Sequence, residues 1–269
     1  MMDGAFPHLS DTFGESRVEI AGQSQNESLE MVVHGRWDAA LAADLRSAVQ
    51  KCLAEQPTVL LANLHDLGDP GGRSAPFWLT AHRAADRRQP PVRLALCIPA
   101  AADLAIRLRR MGASRFVSMF ATVPEARATL SAGLRPPDRV QLTLPPEPSS
   151  AARARELVRQ ACLDWCLAPL RHRAVMVVSE LVANGVQHAA TELRLTVSRR
   201  GNGLYLAVED GDRRLPTLLP PAPHEPGTPV LAPGHGLRVV DVAASAWGAR
   251  NSLGGKVVWA TIRDGVRPA

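Results

Sequence analysis

Glu180, Asn184 and His188 recur at four-residue intervals in a segment, residues 171–188, whose apolar positions repeat with helical period. At about 100° per residue, Ala174, Val175, Val178, Leu181, Val182 and Val186 share one face, and Arg173, Glu180, Asn184, Gln187 and His188 cluster on another. Every amphipathic helix has a polar face, and solvation alone accounts for one. This face, however, mixes a carboxylate, carboxamides and an imidazole where solvated faces carry Lys and Glu pairs. A carboxamide oxygen can ligate Mg²⁺, which takes hard oxygen ligands and keeps water or phosphate in its other positions. A carboxylate one turn away can accept a proton from an attacking hydroxyl or water.

Two later clusters bear on the same chemistry. Asp210 ends an alternating run, residues 204–209, just before Gly211. A carboxylate there can accept a hydrogen bond from an exocyclic amine, although Asp is also an ordinary turn residue. Gly234-His235-Gly236-Leu237 leads into a further helical run. Glycine there lets a phosphate approach the backbone, and a helix N-terminus supplies free N–H groups and a favourable dipole. A single Gly-x-Gly fits many turns; the order and spacing of all three clusters carry the weight.

The elements that must position these residues differ between the two halves of the chain. In the first half, residues 29–33 read as a strand, 39–55 as an amphipathic helix and 58–63 as a buried strand. A Gly-rich turn, a helix over 75–87, a strand over 92–98, a helix over 100–111 and a last helix from Pro124 follow. That alternation predicts a sheet with helices packed on it, an α/β half. Helical periodicity stops at Gly133-Leu-Arg-Pro136-Pro137-Asp138, and the proline pair forbids its continuation. The expected domains are therefore residues 15–134 and 139–265.

In the second half, residues 140–144 read as a strand, and Ser149 or Ser150 caps a helix running to about Cys166. After the helix over 171–189, Leu193, Leu195 and Val197 alternate in a strand, and Gly201-Asn202-Gly203 turns it back into residues 204–209. A Pro-rich loop, residues 215–233, precedes a helix over 237–246 and a closing hairpin, 247–251 and 256–262, around Gly254-Gly255. This is an α+β half with a mixed or antiparallel sheet.

The composition narrows the function classes. A chain of 269 residues is comfortable for two domains, and 46% hydrophobic residues let each bury a core. The net charge of +5 is spread over scattered arginines, with Lys51 and Lys256 as the sole lysines, so no basic arm for nucleic acid is expected. Four cysteines in a chain this long read as buried free thiols of a reducing cytosol. Residues 1–17 lack the pattern of a signal peptide, and no apolar run is long enough to cross a bilayer. A cytoplasmic protein without a membrane partner is expected.

Glu180-Leu-Val-Ala-Asn184-Gly-Val-Gln-His188, Asp210-Gly211 and Gly234-His235-Gly236-Leu237 resemble the N box and two glycine boxes of Bergerat-type, histidine-kinase-like ATPases. Leu144-Pro-Pro-Glu-Pro-Ser-Ser150 and Trp247-Gly248…Gly254-Gly-Lys-Val-Val-Trp259 narrow the likeness to actinobacterial anti-sigma regulatory factors of the serine-kinase kind. The resemblance covers nearly the whole second half and implies a Bergerat-type α/β sandwich. It implies that Asn184 holds Mg²⁺, that Asp210 reads the adenine amino group of ATP, and that Glu180 is the base of a protein-serine kinase. His188, Gly211, Gly234, His235, Gly236 and Leu237 would complete the nucleotide site, with the Pro-rich loop as its lid. Three departures stand out: Gly185 where Ala is usual, His235 where Arg is frequent, and an abbreviated box after Gly211.

The first half resembles a STAS domain of the anti-sigma-factor antagonist kind, through Gly35-Arg-Trp-Asp38, the strand over 59–63 and the Asp69-Pro70-Gly71-Gly72 turn. The family's turn carries a phosphoacceptor serine where Pro70 stands here, so a degenerate module used for docking or regulation is implied. Ser74 reads as a helix cap. The expected function is an ATP-binding partner-switching regulator that binds a sigma factor or its antagonist and phosphorylates a serine on a separate STAS protein. The alternative is a non-catalytic module in which ATP only organises the lid. The family often dimerises through its ATPase domain, so the resemblance leaves room for a homodimer. A two-component histidine kinase is not expected, because His172 and His188 lie inside the ATPase half.

Overall fold

The computed structural model describes residues 18–23, 28–132, 138–217, 236–252 and 254–264. The chain forms two compact units, Met1–Pro136 and Pro137–Ala269.

In the first unit, strands β1 (Val18–Gln23), β2 (Ser28–Val33), β3 (Gly35–Arg36), β4 (Val59–Asn63), β5 (Leu67–Gly68), β6 (Arg93–Cys97) and β7 (Ser118–Phe120) alternate with helices. The helices are α1 (Ala39–Glu55), α2 (Ala75–Asp86), α3 (Asp103–Arg110) and α4 (Val123–Ala132). The main sheet runs β1-β2-β4-β6-β7; only the β1–β2 pair is antiparallel, and β3 and β5 make a small separate pair. Strand alternation sorts the core into two layers. Leu60, Ala62, Leu94 and Leu96 pack with α1, α2 and α3, while Val59, Leu61, Ala95 and Cys97 pack with Ala126 and Leu130 of α4. Asp38 starts α1 by accepting the Leu41 N–H at 2.7 Å.

Strands β1 and β7, and the two-residue strands β3 and β5, are additions to the elements expected from the sequence. Only three residues long, β7 is too short to show alternation, and β1 carries Ala21 and Gly22 where a strand signal needs large side chains. Helix α3 begins at Asp103 and not at Ala100, because Ala102 is still extended.

The second unit is a five-stranded sheet, β11-β12-β10-β9-β8, with every pairing antiparallel. Its elements are β8 (Arg139–Leu144), α5 (Ser149–Asp164), α6 (Arg171–His188), β9 (Leu193–Arg200), β10 (Gly203–Asp210), α7 (Gly236–Ala243), β11 (Ala246–Asn251) and β12 (Lys256–Ile262). Leu195, Val197, Leu206, Val208, Val258 and Ala260 share one core with Val158 of α5, Leu181 of α6 and Val240 of α7. Gly201, at φ +60°, makes the tight turn between Arg200 and Gly203. The buried face of α6 includes Val177, which the sequence grouping omits, and leaves Val175 and Val186 only partly buried.

Five expected details change. Neither Ser149 nor Ser150 caps α5: Pro148 stands at the cap, and the Ser150 hydroxyl donates to the Pro145 carbonyl at 2.6 Å. That helix stops at Asp164, before Cys166 adopts a φ of +57°, and Cys166 is exposed, unlike the three buried cysteines. Helix α7 ends at Ala243, since Ser245 already donates its N–H to Thr261 O and Ala246 opens β11. Arg173, assigned to the polar face of α6, turns away from solvent to fasten that end. It donates to the carbonyls of Ala243 at 2.8 Å and Arg263 at 2.7 Å, with Ser245 Oγ at 3.4 Å.

Arg173→Ala removes those donors from the last carbonyl of α7 and the chain end of β12. The stability of the second unit should fall by about 2 kcal/mol, read as a lower midpoint in a denaturant titration. An unchanged midpoint would make the clamp irrelevant to stability.

Candidate functional site

Helix α6 presents Glu180 and Asn184 one turn apart, both half-buried, and neither side chain has a hydrogen-bond partner among the described residues. The first residue of α7 lies against them. A methyl added at Gly236 would sit 2.6 Å from Glu180 Oε2 and 3.3 Å from Asn184 Oδ1, so that position must be glycine while Glu180 keeps its place. The N-terminus of α7 is thereby held beside a carboxylate and a carboxamide from α6. Leu237 follows, half-buried, on the first turn of α7. His188 stands exposed at the end of α6. Gly234, His235 and residues 218–233 of the Pro-rich loop lie outside the described residues.

Gly185 lies on the buried face of α6. A methyl there would come within 2.8 Å of the buried Leu193 side chain, so the glycine fits a leucine that fills the space an alanine would need.

The second cluster forms at the end of β10. Asp210 is buried, and its Oδ1 accepts from Lys256 Nζ at 3.0 Å and from the Asp212 N–H at 2.9 Å. Lys256, also buried, donates to the Asp212 carbonyl at 3.2 Å and approaches the Asp212 carboxylate at 3.5 Å. Hydrogen bonds from the Arg214 side chain and backbone, helped by the Lys256 charge, hold the Asp212 carboxyl down at about 2, so it is ionised at neutral pH. Gly211 donates its N–H to Thr191 Oγ1 at 2.9 Å, which ties the end of β10 to the chain leaving α6. Gly255 is packed so tightly that a methyl would lie 1.9 Å from the Asp210 carbonyl oxygen.

Thr191, Gly255 and Lys256 were not among the site residues read from the sequence. Gly255 and Lys256 lie in the closing segment Gly254-Gly-Lys-Val-Val-Trp259 that narrows the resemblance, and Lys256 is one of two lysines in an arginine-rich chain, yet neither signal assigns them a role. Thr191 follows the helix with nothing in its context to mark it.

In the first unit, the Asp69-Pro70-Gly71-Gly72 turn is organised by its acid. Asp69 accepts the N–H groups of Arg73 at 2.7 Å and Ser74 at 3.0 Å, and the Ser74 hydroxyl at 2.7 Å. Ser74 in turn accepts from Trp78 Nε1 at 3.2 Å and is fully buried. Ser74 therefore stands at the start of α2 without capping it; the Asp69 carboxylate takes the N–H groups of the two residues that precede the helix. Gly71 and Gly72 both have positive φ, and the turn is bound to α3 by Asp103 Oδ2, which accepts the Gly71 N–H at 2.7 Å. At the buried Cys97, burial first, then the charges of Glu30 and Glu125, push the thiol up to about 11, away from the thiolate form.

No family model and no curated protein matches the chain. Among solved structures, it is similar to the RsbU and RsbW domains of Rv1364c from Mycobacterium tuberculosis, at 17% identity and a TM-score of 0.36. That similarity covers 50% of this chain and only 35% of the other. An anti-sigma factor antagonist from Mycobacterium paratuberculosis is similar over 42% of this chain and 93% of its own, at 16% identity and a TM-score of 0.33. Among the described residues, no helix is long and apolar enough to cross a membrane.

The closed network around Ser74 predicts that it takes no phosphate. After incubation of the full chain with Mg·ATP, mass spectrometry should find residues 66–74 unmodified. Stoichiometric phosphate on Ser74 would show that the turn opens and that the acceptor has moved four residues along the chain.

Proposed function

We propose that the second unit binds Mg·ATP and phosphorylates a serine of a separate STAS-type protein, within a partner-switching pathway that controls a sigma factor. The observation that carries this reading is the approach of Gly236 to Glu180 and Asn184. It joins a glycine-led helix N-terminus to a hard oxygen donor and a carboxylate without a partner of its own among the described residues. The Asp210 carboxylate, at the last residue of β10, would supply the acceptor that an exocyclic amine requires.

The residues present fit such a ligand. No group of three or more His, Cys, Asp or Glu able to hold a metal occurs among the described residues. A single carboxamide oxygen, Asn184 Oδ1, instead suits Mg²⁺, which is held largely by phosphate and water. When bound, ATP supplies the transferable γ-phosphoryl group. The N–H groups at the N-terminus of α7, which begins at Gly236, would hold phosphate. Glu180 accepts the proton of the attacking serine hydroxyl, and Asp210 Oδ2 orients the base. With Pro70 and Gly71 in the turn and Ser74 enclosed, the first unit has no acceptor to offer at its usual place. It therefore acts in docking or regulation, and the substrate serine belongs to another chain.

Glu180 and Asn184 divide the chemistry, so their variants should fail differently. Glu180→Ala should bind Mg·ATP nearly as the parent does but slow single-turnover transfer to a STAS protein with an intact serine by about 10²–10⁴-fold. Asn184→Ala should weaken the Mg²⁺-dependent part of ATP binding in calorimetry. Parental transfer rates for Glu180→Ala would remove it from the role of base. A parent chain that binds ATP and a sigma factor but transfers to no such substrate would be the non-catalytic module instead.

A further inference from the structure

The end of the second sheet bears a row of three side chains, one from each of β11, β12 and β10. Asn251 faces Lys256 in one ladder, and Lys256 faces Asp210 in the next. Directly opposed residues share a face, and residues two apart do as well. Val208 and Val258 belong to the core beneath the helices, so the row lies on that helix-facing side, where the nucleotide base is placed by the reading on which this inference rests.

Within the row, Lys256 leaves its neighbour a single free acceptor. An ammonium has three donors, and those of Lys256 meet Asp210 Oδ1, the Asp212 carbonyl and the Asp212 carboxylate. Asp210 Oδ1 accepts from Lys256 and from the Asp212 N–H, which occupies both its lone pairs. Oδ2 has no hydrogen-bond partner among the described residues. Asn251 Oδ1 is buried and has none either. It lies two strands from Asp210, about 9.5 Å away at ordinary strand spacing, and cannot serve the same base edge.

We propose that Lys256 is the positioning residue that sets base selectivity, by holding Asp210 as a one-acceptor reader. Adenine presents one N–H of its exocyclic amine beside an acceptor nitrogen, which a single oxygen satisfies. Guanine presents two adjacent donors, N1–H and N2–H, which a carboxylate accepts with both oxygens. With Oδ1 occupied, one guanine donor is left buried and unpaired, and such a loss rejects a ligand strongly.

The test is equilibrium binding of Mg·ATP, Mg·GTP and Mg·ITP to the full chain and to Lys256→Met and Lys256→Arg, with melting temperatures recorded alongside. The parent should prefer ATP to GTP by about 10- to 150-fold, the equivalent of one hydrogen bond to a charged group. Lys256→Met, which frees a lone pair of Oδ1, should bring the two within about threefold, and Lys256→Arg should restore the preference. A lower melting temperature with an unchanged ATP:GTP ratio would make Lys256 merely structural and overturn the proposal. Tighter ATP binding by Lys256→Met would overturn it too, by showing that Lys256 competes for Asp210. Should that variant fail to fold, the parent decides: ITP, which lacks guanine's 2-amino group and so leaves no donor unpaired, should bind about tenfold more tightly than GTP. GTP tighter than ITP by about tenfold would show both oxygens free. ATP binding with the wrong ratios defeats this inference alone, whereas no binding of any of the three defeats the nucleotide reading with it.

Discussion

A carboxylate withdrawn from water must be paired, and the pairing of Asp210 governs how one end of the second unit is built. Removing one partner of a buried ion pair typically costs about 3–5 kcal/mol, because the other charge is left uncompensated. Lys256 is therefore required at the start of β12, and the strand must bring it directly opposite Asp210. That register presses the residue before it, Gly255, onto the Asp210 backbone so closely that no side chain fits. On the other side, Gly211 leans on Thr191, so the chain leaving α6 is fixed to the strand end by the same turn. The acid, the lysine, the two glycines and the threonine form one packed unit in which each choice constrains the next.

The polar face of α6 illustrates how far a periodicity argument reaches. Apolar spacing identified the helix and most of its buried side, and the residue types marked Glu180 and Asn184 as unlike a solvated face. Spacing could not separate Arg173 from that set, because its partners are backbone carbonyls at Ala243 and Arg263, 70 and 90 residues away in sequence. A side chain that fastens distant chain ends has the same helical angle as one that faces a ligand. The contact of Gly236 with Glu180 was likewise invisible as a contact, although both residues had been singled out.

What the sequence left illegible follows from length and from distance. Strand β7 is three residues long and β1 holds small residues, so neither announces itself by alternation, whereas β9 and β10, each eight residues long, do. The start of α5 and the end of α7 depart from the sequence pattern for a different reason. Serine near a helix start is a good cap by type, but the Ser150 hydroxyl finds a carbonyl five residues back, and Ala246 is claimed by the ladder with Thr261. In both cases a tertiary or loop partner outcompetes the local preference.

The turn of the first unit shows the same competition settled in favour of an acid. Asp69 accepts three hydrogen bonds, two from backbone N–H groups just before α2 and one from the Ser74 hydroxyl. The turn thus keeps its shape from a carboxylate and two glycines, and needs no hydroxyl at position 70. A serine phosphorylated in such a turn would place a dianion beside the Asp69 and Asp103 carboxylates, and like charges so close repel. Proline removes that option and at the same time presets the backbone angle the turn uses. The geometry of the loop therefore rests on the Asp69 carboxylate and the two glycines, and does not depend on a hydroxyl at position 70.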